Sequence, residues 1–233
     1  MLLAIDTSEQ TCSAALVLAN KALTHRSENI GRGHAERLLP LIDELLAEKG
    51  ASYKDISRLA VTTGPGTFTG LRVGLSVARG FALVNQVPCI GLSGLQVLAA
   101  QAQIDEDCAD ATVHALIAGR GGQAFYQAFN GMDQNGLPHA RGLPINQDID
   151  IIASRIEAAP GRVVGSGRAL LVQAGFDKAA GKAIPAGDMF IDPVQLGLRA
   201  WALDPEHFSP EPLYLRDADA KKAVPILPID TTG

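Results

Sequence analysis

Residues 2–6, LLAID, are an apolar run ending on an acid, and CSAALVLAN (12–20) is a second such run after the polar break TSEQT. Short apolar runs bounded by turn residues read as buried strands. KALTHRSEN (21–29) extends them into a three-strand meander. A helical period follows at 34–49, with apolar residues at 35, 38, 39, 42, 45 and 46 on one stripe and Leu41 widening it. ISRLAVTT (56–63) predicts a strand, 69–86 a helix, VPCIGL (87–92) a short strand and 93–103 another helix. Three strands, then helix, strand, helix, strand, helix, make an α/β layer with a mixed sheet.

The polar stretch QIDEDCAD (103–110) is the best lobe boundary, and the order then partly restarts. TVHALIAG (112–119) and QAFYQAFN (123–130) predict a strand pair around GRGG. A weaker strand is expected near 139–146, a helix near 148–159, and a strand with a glycine turn in GRVVGSG (161–167). Short helices are expected at 168–175 and 193–203, with 176–192 irregular between them. The expected units are 1–103, 104–216 and a loosely held tail, 217–233, whose alanines and prolines show no periodicity.

The loop TTGPGTFTGLRVG (62–74) concentrates four glycines, one proline and four threonines between a strand and a helix. It lacks the Gly-Lys-Ser/Thr ending of a Walker loop. Gly64, Pro65 and Gly66 make a tight turn, and Thr67 or Thr69 can cap the next helix. Free N–H groups at that helix start suit an anion; a plain strand-to-helix turn explains the same residues. Gly66, Gly70, Gly74, Ala78 and Ala82 then form a small-residue stripe at four-residue spacing. Each interior glycine costs about 0.8–1.0 kcal/mol of helix propensity against alanine, so the stripe implies close approach of another backbone. That backbone is either the chain's own sheet or a partner's helix. Arg72 and Arg79 either frame such a groove or are solvated charges. The stripe at 34–49 is equally open, as core or as an interface; Pro40 should kink this helix or mark its first turn.

Asp6, with Thr7 and Ser8, ends the first strand where kinases of one large superfamily hold phosphate and metal; a capped turn is the simpler reading. The equivalent strand end in the second half, Ala118-Gly119, has no carboxylate. His34 has no neighbouring ligand at metal spacing. No catalytic carboxylate pair, Ser-His-Asp set or metal cluster emerges, so the expectation is no catalytic residue and no metal.

Composition narrows the class. The 233 residues are 47% hydrophobic with net charge −5, enough for one large domain or two small lobes, and without the basic footprint of a lone nucleic-acid binder. Three cysteines, Cys12, Cys89 and Cys108, without CxxC pairing suggest a reducing compartment. The start MLLAIDTSE lacks a basic n-region, and no apolar stretch approaches a membrane span; the cytoplasm is the expected location.

LLAIDTSEQTCSAAL, GHAERLLPLIDELL, TTGPGTFTGLRVGLSVARGFA, VPCIGLSGLQVLA and EPLYLR (211–216) together resemble the bacterial TsaB (YeaZ) family, closely over 1–101 and more loosely over 102–210. The resemblance implies a two-lobed actin/Hsp70/sugar-kinase (RNase H-like) α/β fold, with mixed sheets flanked by helices. It implies an accessory role in making threonylcarbamoyladenosine in tRNAs reading ANN codons. The chain would be a non-catalytic paralogue and heterodimer partner of TsaD, joined by the ATPase TsaE, meeting tRNA only through that complex. No cofactor is expected to stay on this chain alone; ATP or ADP would bind at the interface of the three proteins. The helices at 34–49 and 69–86 would dock TsaD, or a second copy when TsaD is missing, through His34, Leu38, Leu41, Leu45, Gly70, Arg72, Val73, Gly74, Val77 and Phe81. Asp6, Thr7, Ser8, Gly64, Gly66 and Thr67 would be a vestigial phosphate site. The two metal-binding histidines of TsaD fall at Gly94 and Leu98 here. Family members often carry Asp-Ala-Arg where this chain has Ala118-Gly119-Arg120. A small-molecule kinase of the same fold is the enzyme alternative, and a glycoprotease-like metallopeptidase a further one.

Overall fold

The computed structural model describes residues 1–19, 21–102, 112–181 and 189–215. The expected lobe boundary at 103/104, Cys108, Arg216 and the tail 217–233 lie outside the described residues.

Five strands build the first sheet: β1 (Leu2–Asp6), β2 (Thr11–Leu18), β3 (Lys21–Asn29), β4 (Arg58–Thr62) and β5 (Cys89–Leu92). Their order is β3-β2-β1-β4-β5. The meander β1–β2–β3 is antiparallel, and β4 and β5 extend it parallel to β1. The second sheet contains β6 (Val113–Ala118), β7 (Gln123–Met132), β8 (Pro138–Ala140), β9 (Ile145–Asp148) and β10 (Arg162–Val164). It runs β10-β6-β7-β8, with β9 also paired to β7. The arrangement β10-β6-β7-β9 repeats β4-β1-β2-β3, antiparallel pairs and one parallel neighbour included. This is the α/β, two-lobed actin/Hsp70/sugar-kinase type of fold.

Seven α-helices among the described residues cover the sheets: α1 (His34–Glu48), α2 (Phe68–Asn85), α3 (Gly94–Ala102), α4 (Ile149–Ala158), α5 (Arg168–Gln173), α6 (Asp177–Ala180) and α7 (Pro193–Ala200). The strand period of two explains why LLAID is apolar throughout. Leu3 and Ile5 face the cluster formed with α1 and α2, while Leu2 and Ala4 face a second cluster with α3 and α7. That second cluster continues into Val113, Ala115, Ile117, Phe125 and Phe129 of the other sheet. The opposite side of that sheet packs Leu116, Ala124 and Tyr126 on α4, α5 and α6. The layers are therefore α1/α2, sheet, α3/α7, sheet, α4/α5/α6, and the two sheets share one apolar layer.

Several elements differ from expectation. The strand expected near 139–146 is two short strands, divided by a turn in which Gly142 takes φ +95°. Among the described residues of 176–192 there is one helical turn, α6, and the helix expected at 193–203 ends at Ala200. Pro40 stands inside α1 on its exposed side, so the helix passes through it rather than starting there. Helix α7, although it falls within the expected unit 104–216, lies on the first sheet, where a Cβ on Gly197 would come 2.7 Å from Val17 and 3.3 Å from Ala4. The segment beyond it also returns there: Gly91 N–H donates to Phe208 O (2.8 Å) and Leu213 N–H to Thr63 O (2.7 Å). No helix among the described residues is long and apolar enough to cross a membrane.

Candidate functional site

The β1–β2 turn holds its own acid. Asp6 Oδ1 accepts from Ser8 N–H (3.1 Å), from the Ser8 hydroxyl (2.7 Å) and from the Thr62 hydroxyl (2.6 Å). Asp6 is fully buried, and burial pushes its carboxyl above the ordinary range against those three donors. Its Oδ2 has no hydrogen-bond partner. Thr7 and Ser8 are buried as well. Turn capping accounts for Asp6 Oδ1, while Oδ2 stays buried without a partner.

The glycine loop lies directly on this turn. A Cβ on Gly66 would meet Ser8 O at 2.2 Å, one on Gly70 would meet Thr7 O at 2.1 Å, and one on Gly74 would meet Thr7 Oγ1 at 2.6 Å. The Thr7 hydroxyl donates to Gly70 O (2.7 Å), and Thr67 N–H donates to Ser8 O (2.7 Å). Thr67 caps α2 by accepting from Gly70 N–H at 3.2 Å. The small-residue stripe is thus occupied by the chain's own backbone. Gly70 and Gly74 are buried on the inner side of α2, against Thr7 and Ile5, and in this chain present no surface to a partner. Gly64 is buried too, beneath Leu71 and Leu213 O.

The leucines of α1 face inward in the same way. Leu38, Leu41 and Leu45 have no exposed area and sit in the core with Leu3, Ile5 and Leu59. His34 is buried, and its Nε2 lies 3.1 Å from Thr11 O, tying α1 to β2. Val73, Val77 and Phe81 are half-buried against the same core, and Phe81 stacks on Tyr53 at 4.9 Å. Arg72 is exposed, its guanidinium 3.7 Å above the Phe68 ring. The two helices expose Leu39, which the stripe at 34–49 included, and three side chains the sequence reading did not single out: Leu39 and Phe68 are about two-fifths exposed, Leu83 81% and Val84 79%. Gly80, mid-helix, has nothing within 4 Å of where its Cβ would stand. The signal was present in the periodicity, since positions on the far side of an apolar stripe face solvent.

Between the sheets lies a residue that the sequence reading passed over. Glu9 is buried in the β1–β2 turn, and its Oε2 accepts from the Ser166 hydroxyl of the second sheet's glycine turn. Ser166 Oγ in turn accepts from Ala118 N–H (2.9 Å). Burial pushes the Glu9 carboxyl up to about 8, and the neighbouring Asp6 adds to the rise. It is therefore protonated at neutral pH. Among the described residues no group of three or more His, Cys, Asp or Glu side chains could hold a metal ion.

A family model described as TsaD, tRNA N6-adenosine threonylcarbamoyltransferase, matches residues 17–136. The tRNA threonylcarbamoyladenosine biosynthesis protein TsaB of Escherichia coli is 31% identical over 232 residues, covering 96% of this chain and 98% of that protein. The chain belongs to the TsaB (YeaZ) family. The structure of YeaZ from Pseudomonas aeruginosa superposes with a TM-score of 0.72 at 29% identity, over 92% of this chain and 99% of that one. A tRNA N6-adenosine threonylcarbamoyltransferase of Pelobacter propionicus is 34% identical over 112 residues, covering 41% of this chain and 33% of that protein.

Within this TsaB-family chain, Gly94 and Leu98 occupy the apolar layer between the sheets. A Cβ on Gly94 would lie 2.7 Å from Ile191 Cδ1 and 3.3 Å from Ile117 Cδ1, and Leu98 has no exposed area. A histidine at either position would displace that packing.

Proposed function

We propose that this chain is a non-catalytic partner subunit of TsaD, required for transfer of the threonylcarbamoyl group to adenosine in tRNAs reading ANN codons. The observation that carries the reading is the outward side of α2. Leu83 and Val84 are exposed there within a turn of Gly80, an interior helical glycine that no contact within the chain explains. Exposed apolar side chains grouped on one element mark interaction surfaces, and an unfilled Gly80 lets a partner's backbone approach. The packed positions Gly94 and Leu98 support a subunit without transfer chemistry of its own. In this reading TsaD docks on α2 and the exposed Leu39 edge of α1, TsaE joins the pair, and ATP or ADP enters at their shared interface. Without TsaD and at high protein concentration, a second copy takes the same face; the dilute chain is a monomer. The working compartment is the cytoplasm, and tRNA reaches the chain within the complex.

Co-purification with TsaD tests the interface. Leu83→Glu and Val84→Glu should remain folded and lose TsaD, and retained TsaD would overturn the assignment. Reconstituted threonylcarbamoyl transfer should require the chain beside TsaD. Modification of tRNA by this chain in the absence of TsaD would sink the non-catalytic reading.

A further inference from the structure

On the outer side of the second sheet, away from α2, an open pocket of about 550 Å³ lies between β7, the β8–β9 turn, β9 and α4. Arg141, from the turn, and Arg155, from α4, both line it. Among the described residues neither guanidinium has an ion-pair or hydrogen-bond partner. The acids of α4, Asp150 and Glu157, stand five and two positions from Arg155, and neither spacing brings side chains face to face on a helix.

The rest of the lining is not basic. Leu143 is 87% exposed, and Ile145 and Tyr126 form an apolar wall behind it. The turn that carries Arg141 is fixed at both edges: Arg141 N–H donates to Ala128 O (2.8 Å), and the Gln127 amide donates to Gly142 O (2.8 Å). The Tyr126 hydroxyl is oriented from below. His114 Nε2 lies 2.8 Å from Ala159 O, a contact that requires its N–H there. Its Nδ1 is then an acceptor, and the Tyr126 hydroxyl 2.9 Å away donates to it. Tyr126 Oη has its proton committed inward and only lone pairs left for the pocket.

We propose that this pocket binds a nucleoside phosphate, with Arg141 and Arg155 holding the phosphate and Leu143 and Ile145 flanking the base. Guanidinium groups match phosphate oxygens in charge and geometry. The volume falls within the roughly 300–1,000 Å³ of small-ligand sites. The ligand is either a free nucleotide or one nucleotide of an RNA strand, which present the same chemistry. The site is separate from the α2 face and does not depend on TsaD docking.

Calorimetric titration of the full chain with adenosine monophosphate, uridine monophosphate, adenosine and an oligoadenylate without terminal phosphates tests this. Adenosine monophosphate and uridine monophosphate should both bind, and inorganic phosphate should compete. Arg141→Ala and Arg155→Ala should each weaken binding by about tenfold or more, as expected for losing a charge-assisted hydrogen bond. Both arginines are exposed, so both variants should keep the melting temperature and should still co-purify with TsaD. Loss of nucleotide binding is thereby read separately from loss of the partner. Oligoadenylate binding with the same arginine dependence supports an RNA source, and binding of the mononucleotide alone supports a free nucleotide. The proposal is overturned if neither binds at millimolar concentration, if both arginine variants bind like the parent, or if adenosine binds as tightly as its phosphate.

Discussion

Ser166 donates its hydroxyl proton to Glu9, 157 positions away, and so joins the glycine turn of one sheet to the β1–β2 turn of the other. The bond sits where the two halves of the repeat come together. It also sets a pH dependence. The folded Glu9 carboxyl titrates near 8, chiefly because it is buried, and an unfolded one titrates near 4.5. Between these values the native state keeps a proton that the unfolded chain has released, so stability falls as pH rises through that window. Asp6, also raised by burial, contributes in the same direction. Glu9→Gln retains an oxygen acceptor for Ser166 and removes the titration. Melting temperature measured from pH 5 to 8.5 should decline in the parent chain, and the decline should be much shallower in Glu9→Gln.

His114 acts with the opposite sign. Burial lowers its pKa below the ordinary 6.5, against the hydrogen bond to Ala159 O. The unfolded chain binds a proton that the native state refuses, so this contribution is lost as pH falls below about 6.5. Tyr126→Phe removes the donor to Nδ1 and leaves a buried acceptor unpaired, at a cost of about 1–3 kcal/mol. Denaturant unfolding at pH 7.5 should show that loss. In Glu9→Gln the acid-side decline due to His114 should stand out, since the opposing slope of Glu9 has been removed.

The elements were legible where packing follows period. LLAID, CSAALVLAN and the 3.6-residue stripe of α1 each placed their apolar faces by spacing alone, and Thr67 capped the helix as its hydroxyl suggested. The site was less legible because burial is set by what arrives from afar. A stripe of leucines has the same spacing whether a sheet or a partner covers it, and in α1 the chain's own sheet covers Leu38, Leu41 and Leu45. The glycine stripe has the same ambiguity, and here Thr7 and Ser8 fill it. Glu9 carried no local mark at all, since its partner lies in the other half of the chain. The return of α7 to the first sheet was hidden for the same reason.

Leucine substitutions separate core from surface on the two helices. Leu38→Glu or Leu45→Glu places a carboxylate among Leu3, Ile5 and Leu59 with no partner, which is a strongly destabilising change. Both variants should lose the cooperative melting transition seen by circular dichroism. Leu83→Glu, at a side chain 81% exposed, should melt within a degree or two of the parent. Folded Leu38→Glu protein that has merely lost its partner would show that α1 is covered by the partner and not by its own sheet.

Two glycines of α2 make a matched pair. Replacing an interior helical glycine by alanine gains about 0.8–1.0 kcal/mol of propensity where the new methyl meets nothing. Gly80 satisfies that condition, while at Gly74 the methyl would stand 2.6 Å from Thr7 Oγ1, the hydroxyl that bonds Gly70 O. Gly80→Ala should therefore raise the melting temperature by about 2–4 °C, the shift expected for 1 kcal/mol in a chain of this size. Gly74→Ala should lower it, because either the helix moves off β1 or the Thr7 bond is lost. A bulkier change at Gly80, such as Gly80→Leu, should leave the isolated chain folded and reduce co-purification with TsaD. If Gly80→Ala fails to stabilise the isolated chain while its circular dichroism is unchanged, a contact from a second copy already fills that position, and the melting temperature should then vary with protein concentration.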